Sequence, residues 1–192
     1  MVFEEYVSKL KALVPPSINF PDEYFSFAIN EARREISLFV DPIIQFVEKD
    51  LTTNVQEYNF FDLTQIPEAQ FSKLFDVRGI WDQIQYPLVQ IHKEQIPLRN
   101  FYGYPAFYYF HYPIIGFYPA PSAPFKVLFK ISLLPLDLTQ GQEELKALTP
   151  YTDIIAILGA SILARMVGNQ ALADYYYQIY QLKRQQVVTR LR

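Results

Sequence analysis

The sequence has no cysteine, only two histidines and only six glycines among its 192 residues. Without cysteine there is no disulfide and no cysteine-ligated zinc, haem or iron–sulfur site. The glycines are too dispersed to form a phosphate-binding or dinucleotide-binding loop. A net charge of -3 also argues against a general nucleic-acid binder, because such proteins need a basic face to neutralise phosphates.

Long hydrophobic runs are missing as well. The longest, residues 154–164, is well short of the about 20 residues that a membrane-spanning helix needs, so it is interpreted as a buried core helix. The N-terminal segment carries Glu4 and Glu5 where a signal peptide needs positive charge. We therefore expect neither a membrane partner nor a targeting signal.

Candidate catalytic residues are few and scattered. His92 and His111 lie in or beside strand-like runs, and His92 has Glu94 near it but no third ligand. Gly159-Ala160-Ser161 falls within a helix, where small residues favour close packing rather than a nucleophile turn. Carboxylates from distant segments can still meet in the fold. The sequence thus predicts no enzyme, no cofactor and no metal site, with a small hydrolase as the weakest alternative.

Both ends of the chain show helical periodicity. One helix is predicted over 2–14 and a second from Pro21, with acids in its first turn. Thr149 is expected to cap a central helix that ends at Gly168-Asn169. The last helix is predicted to turn five residues inward: Leu172, Tyr175, Tyr176, Ile179 and Leu182.

The middle of the chain, residues 52–136, has the pattern of strands and turns. Short runs rich in Val, Ile, Tyr and Phe are cut by proline and glycine. The clearest strand has one apolar face, formed by Phe125, Val127, Phe129, Ile131 and Leu133. The predicted fold class is α+β: a helical bundle of residues 1–51 and 137–192, with two helices from each end, carries a mostly antiparallel β insertion at 52–136.

Aromatic residues are the main surplus, with ten of them in the eighteen residues 101–118. The rings can fill a sheet core or form a contact surface. We favour contact because consecutive aromatics in a strand must point to both faces. The candidate interface residues are Phe107, Tyr108, Tyr109, Phe110 and Tyr112. A receptor- or carbohydrate-binding module using these rings is an alternative. Stacking on single-stranded nucleic acid is disfavoured, since few basic residues lie nearby.

The C-terminal segment is basic and partly apolar. On its own it is interpreted as a helix end whose cations complement the helix dipole. The functional alternative is a tail that docks onto a partner, using Lys183, Arg184, Val187, Val188, Arg190, Leu191 and Arg192.

The chain resembles the head-to-tail connector (adaptor, or tail accessory) proteins of tailed bacteriophages. The resemblance rests on the order of helix pair, β insertion and helix pair, and on three motifs. Phe117-Tyr118-Pro119-Ala120-Pro121 precedes a long strand that ends at Pro135, and Thr149-Pro150-Tyr151-Thr152-Asp153 opens an apolar helix. A Gly168-Asn169 break then leads into a tyrosine-rich last helix. The aromatic density of 101–118 departs from the family pattern.

The resemblance implies a non-enzymatic virion protein of the phage neck, assembled in the host cytoplasm. Such proteins form a ring, typically dodecameric, below the portal protein and extend the DNA channel to a downstream tail or nozzle protein. The DNA passes without sequence-specific binding, which fits an acidic chain. In this family a C-terminal segment commonly reaches onto the portal, so the resemblance favours docking for residues 183–192.

Overall fold

The computed structural model describes residues 2–15, 20–41, 43–97 and 101–191. The chain has an α+β fold, as predicted, and divides into two compact units. The helical unit comprises Met1–Pro42 and Leu134–Arg192, and the β unit comprises Ile43–Leu133. The helices are α1 (Phe3–Leu13), α2 (Asp22–Val40), α3 (Phe60–Thr64), α4 (Thr152–Met166) and α5 (Gln170–Leu191).

Helix α4 is at the centre of the helical unit, as its apolar sequence predicts. Ten of its fifteen residues are buried, and α1, α2 and α5 all pack against it. At Gly159 an added Cβ would lie 3.1 Å from a methyl group of Leu10, so the missing side chain lets α1 approach closely. The hydroxyl of Ser161 donates to the backbone carbonyl of Ala173 at 2.8 Å. This small-residue segment therefore serves helix packing.

The predicted cap at Thr149 is not formed, whereas the predicted helix break at Gly168-Asn169 is present. Thr149 does not cap α4, because a 3₁₀ turn, Thr149–Tyr151, precedes the helix, and the Thr149 hydroxyl donates to the carbonyl of Leu145. Gly168 takes the left-handed conformation that ends a helix, with φ of +73°. The side chain of Asn169 then accepts from the backbone N–H of Leu172 and caps the start of α5.

The inward face of α5 differs from the prediction. Tyr176 is buried as expected, and Leu172 and Ile179 pack partly buried against the core, but Tyr175 and Leu182 are exposed. The other fully buried positions are Ala173 and Tyr180, which follow the helical period from Tyr176.

A buried ion pair fixes the segment that follows the β unit. Arg33 donates to both carboxylate oxygens of Glu144 at 2.8 Å, and the hydroxyl of Tyr6 donates to the same carboxylate at 2.9 Å. The Arg33 guanidinium also donates to the carbonyl of Leu136. Asn30 exchanges two hydrogen bonds with the backbone of Leu138. Each buried polar group thus has partners, as a low-dielectric interior requires.

The β unit has ten strands among its described residues: β1 (Ile43–Leu51), β2 (Glu57–Asn59), β3 (Phe71–Trp81), β4 (Ile84–Pro87), β5 (Val89–Gln90), β6 (Tyr102–Gly103), β7 (Phe107–His111), β8 (Ile114–Tyr118), β9 (Ala120–Pro121) and β10 (Phe125–Leu133). Two four-stranded sheets have the orders β1-β10-β3-β4 and β2-β8-β7-β5, and β6 pairs with β9. All pairs are antiparallel except β5 with β7 and β6 with β9.

The clearest predicted strand is confirmed as β10, an interior strand of its sheet. Its predicted apolar face is buried, and it pairs with β1 on one side and β3 on the other. The core of the β unit is aromatic: the ring of Phe60 makes edge-on contacts with Phe61, Phe71, Phe110 and Phe129 at centroid distances of 5.1 to 5.8 Å. Such contacts add to the free energy of burial.

The unit boundaries differ from the sequence-based ones. Residues 43–51, which we predicted as part of the helical bundle, form strand β1 along the full length of β10. At the other end the β unit stops at Leu133, and residues 134–136 belong to the helical unit. The β insertion therefore begins nine residues earlier than predicted and ends three residues earlier.

Candidate interaction surfaces

Two of the five predicted interface aromatics are buried. Tyr108 is 4% exposed and belongs to the core of the β unit, and its neighbour Tyr109 is 2% exposed on the opposite face of β7. The prediction that these two rings line a contact surface is therefore wrong for the free chain. The same two rings are not accessible to a receptor or carbohydrate ligand, as the alternative function would require.

Tyr109 is covered by groups that the sequence pattern did not reveal. Its cross-strand neighbour is Gly116, where an added Cβ would lie only 2.0 Å from the tyrosine ring, so only glycine leaves space for it. The Tyr109 hydroxyl donates to Glu57, and the ammonium of Lys93 lies 2.6 Å from the same carboxylate. Burial and the Glu57 charge raise the pKa of Tyr109, while hydrogen bonds from Lys93 and Tyr109 lower the pKa of Glu57.

The other three predicted residues divide between core and surface. Phe110 is half-buried against Phe60 and Phe71. Phe107 and Tyr112 are exposed, although the Tyr112 hydroxyl donates to Glu68. The segment therefore offers two of the five predicted rings to a partner.

A different aromatic cluster is exposed at the end of the β3–β4 hairpin. Trp81 and Tyr104 pack edge to face, with ring centroids 4.2 Å apart, and they are 46% and 54% exposed. Ile84 lies directly across from Trp81 and is 69% exposed. The turn residues Asp82 and Gln83 both have left-handed φ angles, as a tight hairpin turn requires. We call Trp81, Ile84 and Tyr104 the hairpin-tip patch.

Trp81 of the hairpin-tip patch lies on the face of β3 whose preceding residues are buried in the core of the β unit. Gly79 and Val77 precede Trp81 on the same face of β3; Val77 is fully buried, and Gly79 is covered by Tyr86 and Phe125. Trp81 was missed because a lone tryptophan before a turn carries no periodic signal. Only the structure shows that Trp81 and Ile84 are both exposed.

The helical unit has an apolar groove along α2. The groove has a volume of about 660 Å³. Its apolar lining consists of Phe27, Leu38, Phe39, Leu134 and Ile162, of which Phe27 and Leu38 are more than half exposed. We call this feature the helical groove.

Charged residues at the helical groove are mostly held by neighbours. Arg34 pairs with Glu31 and with Asp137, and Glu35 accepts from the hydroxyl of Tyr180 at 2.7 Å. The guanidinium of Arg184 lies over the ring of Phe39, 5.2 Å from its centroid.

The predicted docking tail is part of α5. Lys183, Arg184 and Val187 are partly exposed on this helix, and Val187 packs against the helical core. Lys183 lines two clefts of about 310 and 340 Å³, together with Asp153. Arg192 and the side chains of Val188, Arg190 and Leu191 lie outside the described residues.

Asp153 is the charged centre of those clefts. The ammonium of Lys9 lies 2.5 Å from its carboxylate. The hydrogen bond from Lys9, and the charges of Lys9 and Lys183, lower the pKa of Asp153. Two lysines and one carboxylate leave this end of α5 with a net positive charge, which suits an acidic partner.

The candidate catalytic residues are not brought together. His92 and His111 are exposed at the ends of their segments, and His92 begins the 3₁₀ turn Lys93–Gln95. Within the described ranges no group of three or more His, Asp or Glu side chains could hold a metal ion. None of the helices in those ranges has the length and hydropathy of a bilayer-spanning segment.

No protein-family model matches the chain, and no curated protein is significantly similar to it.

Proposed function

We propose that the chain is a structural subunit of the head-to-tail connector of a tailed bacteriophage, forming a ring below the portal protein. In this role it extends the DNA channel and presents a docking surface to the next tail component. It is a virion protein without catalytic activity, and genomic DNA passes through its channel without sequence-specific binding.

The observation that carries the proposal is the position of the family-like motifs in the fold. The Phe117–Pro121 motif is separated by three residues from β10, an interior strand of its sheet, and Pro135 follows the end of that strand. The Thr149–Asp153 motif opens α4, the most buried helix, and Gly168 ends it. Helices from both ends of the chain pack around one core, with the β unit inserted between them in sequence.

Two further features support a ring. A closed ring of identical subunits needs a heterologous interface, so each subunit must carry two unlike complementary surfaces. The hairpin-tip patch and the helical groove are two such surfaces. An overall charge of -3 also suits a channel wall, which should repel passing DNA.

The C-terminal segment is proposed to attach the ring to the portal. Residues Lys183 to Arg192 carry four basic residues and no acid. Of these residues, Lys183 lines two clefts of the helical unit. An acidic groove on the portal protein is the partner that this charge favours.

The test is assembly with the portal protein encoded in the same genome. Mass photometry of the mixture should detect portal rings whose mass has increased by a multiple of the 22.5 kDa subunit. A chain truncated after Val187 is the matched control, and we expect it to lose most of this added mass while its circular dichroism stays unchanged. Portal rings and free subunits alone, at micromolar concentrations of both, would rule out the connector role.

A further inference from the structure

The hairpin-tip patch is a protruding apolar surface. Its three side chains are outside the buried core of the β unit, and all three are exposed. Contiguous exposed apolar surface of this kind usually marks a binding site. Exposed tryptophan and tyrosine are also the residues that most often dominate the energy of protein interfaces.

The helical groove is a concave apolar surface on the other unit of the chain. Its volume of about 660 Å³ lies within the range of about 300 to 1,000 Å³ that is typical of sites for compact apolar groups. Phe27 and Leu38 are exposed within it. A large hydrophobic side chain entering the groove would remove these two from water.

One charged residue at the tip and one at the groove have opposite signs and form no ion pair with a described residue. Asp82 is the only charged residue of the hairpin turn and forms no ion pair with any described residue. At the groove, the guanidinium of Arg184 lies against an aromatic ring, and no described carboxylate forms an ion pair with it. Glu31 and Arg34 form an ion pair, and Glu35 accepts from the neutral hydroxyl of Tyr180. A tip that enters the groove brings the carboxylate of Asp82 to the cation of Arg184.

We propose that the hairpin-tip patch of one subunit inserts into the helical groove of a second copy of this chain. This inference rests on the proposed function, because it names the partner for the two surfaces that a ring needs. Trp81 and Ile84 pack against Phe27 and Leu38, and Asp82 pairs with Arg184. The contact is heterologous, so each copy uses its tip on one neighbour and its groove on the other, and the pattern repeats around a ring.

The absence of cysteine from the sequence permits a direct test. Ile84→Cys and Leu38→Cys place one thiol on each surface, at side chains that are exposed. An equal mixture of the two single variants, oxidised with diamide, should give a crosslinked dimer. A chain carrying both substitutions should give a ladder of multiples of 22.5 kDa on a non-reducing gel. The matched control combines Ile84→Cys with Lys146→Cys, an exposed position away from the groove.

Trp81→Ala in the doubly substituted chain should lower the ladder yield by about tenfold or more, as loss of a central interface tryptophan does. Tyr104→Ala provides the same test if the tryptophan variant does not fold. A yield no greater than that of the Lys146→Cys control, or one unaffected by both aromatic substitutions, overturns the proposal. The same criterion applies whether or not portal protein is present in the crosslinking reaction. Portal binding without a ladder refutes only the tip-to-groove contact, and a ladder without portal binding refutes only the connector role.

Discussion

At the scale of single residues, tyrosine hydroxyls act as donors to glutamates that are distant in sequence. The hydrogen-bonded pairs are Tyr6 with Glu144, Tyr109 with Glu57, Tyr112 with Glu68 and Tyr180 with Glu35. A hydrogen bond to an ionised carboxylate is stronger than one between neutral groups. Each pair therefore fixes two segments of the chain to each other. The tyrosine surplus thus has a purpose besides core filling and surface contact.

Tyr6→Phe tests the buried pair of this kind. The substitution keeps the ring and removes one donor from Glu144, which retains the two hydrogen bonds from Arg33. Because the carboxylate is buried, we expect the free energy of unfolding to fall by about 1.5 to 3 kcal/mol. Urea denaturation followed by circular dichroism measures the change.

Tyr112→Phe is the matched control for Tyr6→Phe. It removes the same hydroxyl from a tyrosine that is half exposed, and water can replace it at Glu68. We expect an unchanged denaturation midpoint. Equal losses for the two variants would show that burial does not decide the strength of these pairs.

Residue roles of this type could not be predicted from the sequence. Arg33 and Glu144 look like surface charges, since each lies among polar residues, yet both are buried in one ion pair. The two residues are 111 positions apart in the sequence, and no local sequence pattern indicates that they pair. The burial of Tyr109 depends likewise on Gly116 and Glu57, which join it only in the folded sheet.

At the scale of secondary structure, the elements with one clear period were predicted and the ambiguous ones were not. Strand β10 alternates along its whole length, and α4 is apolar on nearly all sides. Strand β1 lies in the region that was assigned to the helical bundle, and its buried residues, Val47 and Leu51, are four apart. That spacing fits one face of a strand and one face of a helix equally well.

The prediction of the inward face of α5 was right for Leu172, Tyr176 and Ile179 and wrong for Tyr175 and Leu182, for a related reason. Its sequence from Tyr175 to Leu182 has aromatic or aliphatic residues on every side, so several choices of inward face fit the pattern. Packing against α4 decides the face: Ala173 accepts the hydroxyl of Ser161 at its carbonyl, and the Tyr176 and Tyr180 side chains follow it inward. Tertiary contacts thus overrode the local signal.

Leu158→Ala tests whether α4 is the central element of the helical unit. Leu158 is 2% exposed, and removing its side chain leaves a cavity among helices that cannot close fully around it. We expect the free energy of unfolding to fall by about 2 to 5 kcal/mol, measured by urea denaturation.

Leu182→Ala is the matched control on α5. This leucine is 64% exposed, so the same truncation should change the free energy of unfolding by no more than about 0.5 kcal/mol. A loss of only a few tenths of a kcal/mol for Leu158→Ala, similar to the control, would contradict a central role for α4.

At the scale of the whole molecule, the chain contains two separate hydrophobic cores. The core of the helical unit is built from residues before Pro42 and after Leu134, and the core of the β unit is built from residues 43–133. A discontinuous helical unit with a continuous insertion was predicted from the change in periodicity along the chain. The exact boundaries depended on β1, which pairs with a strand far along the chain: Leu51 lies opposite Phe125, and Ile43 lies opposite Leu133.

The continuous β unit should fold on its own. Residues 43–133 contain every buried member of their core, including Phe60, Phe117 and Phe129. A domain of this size can bury enough apolar surface to be stable alone. We expect the isolated fragment to unfold in one cooperative urea transition and to give a dispersed amide NMR spectrum. A fragment with a narrow spectrum and no transition would mean that the core of the β unit forms only when the helical unit is present.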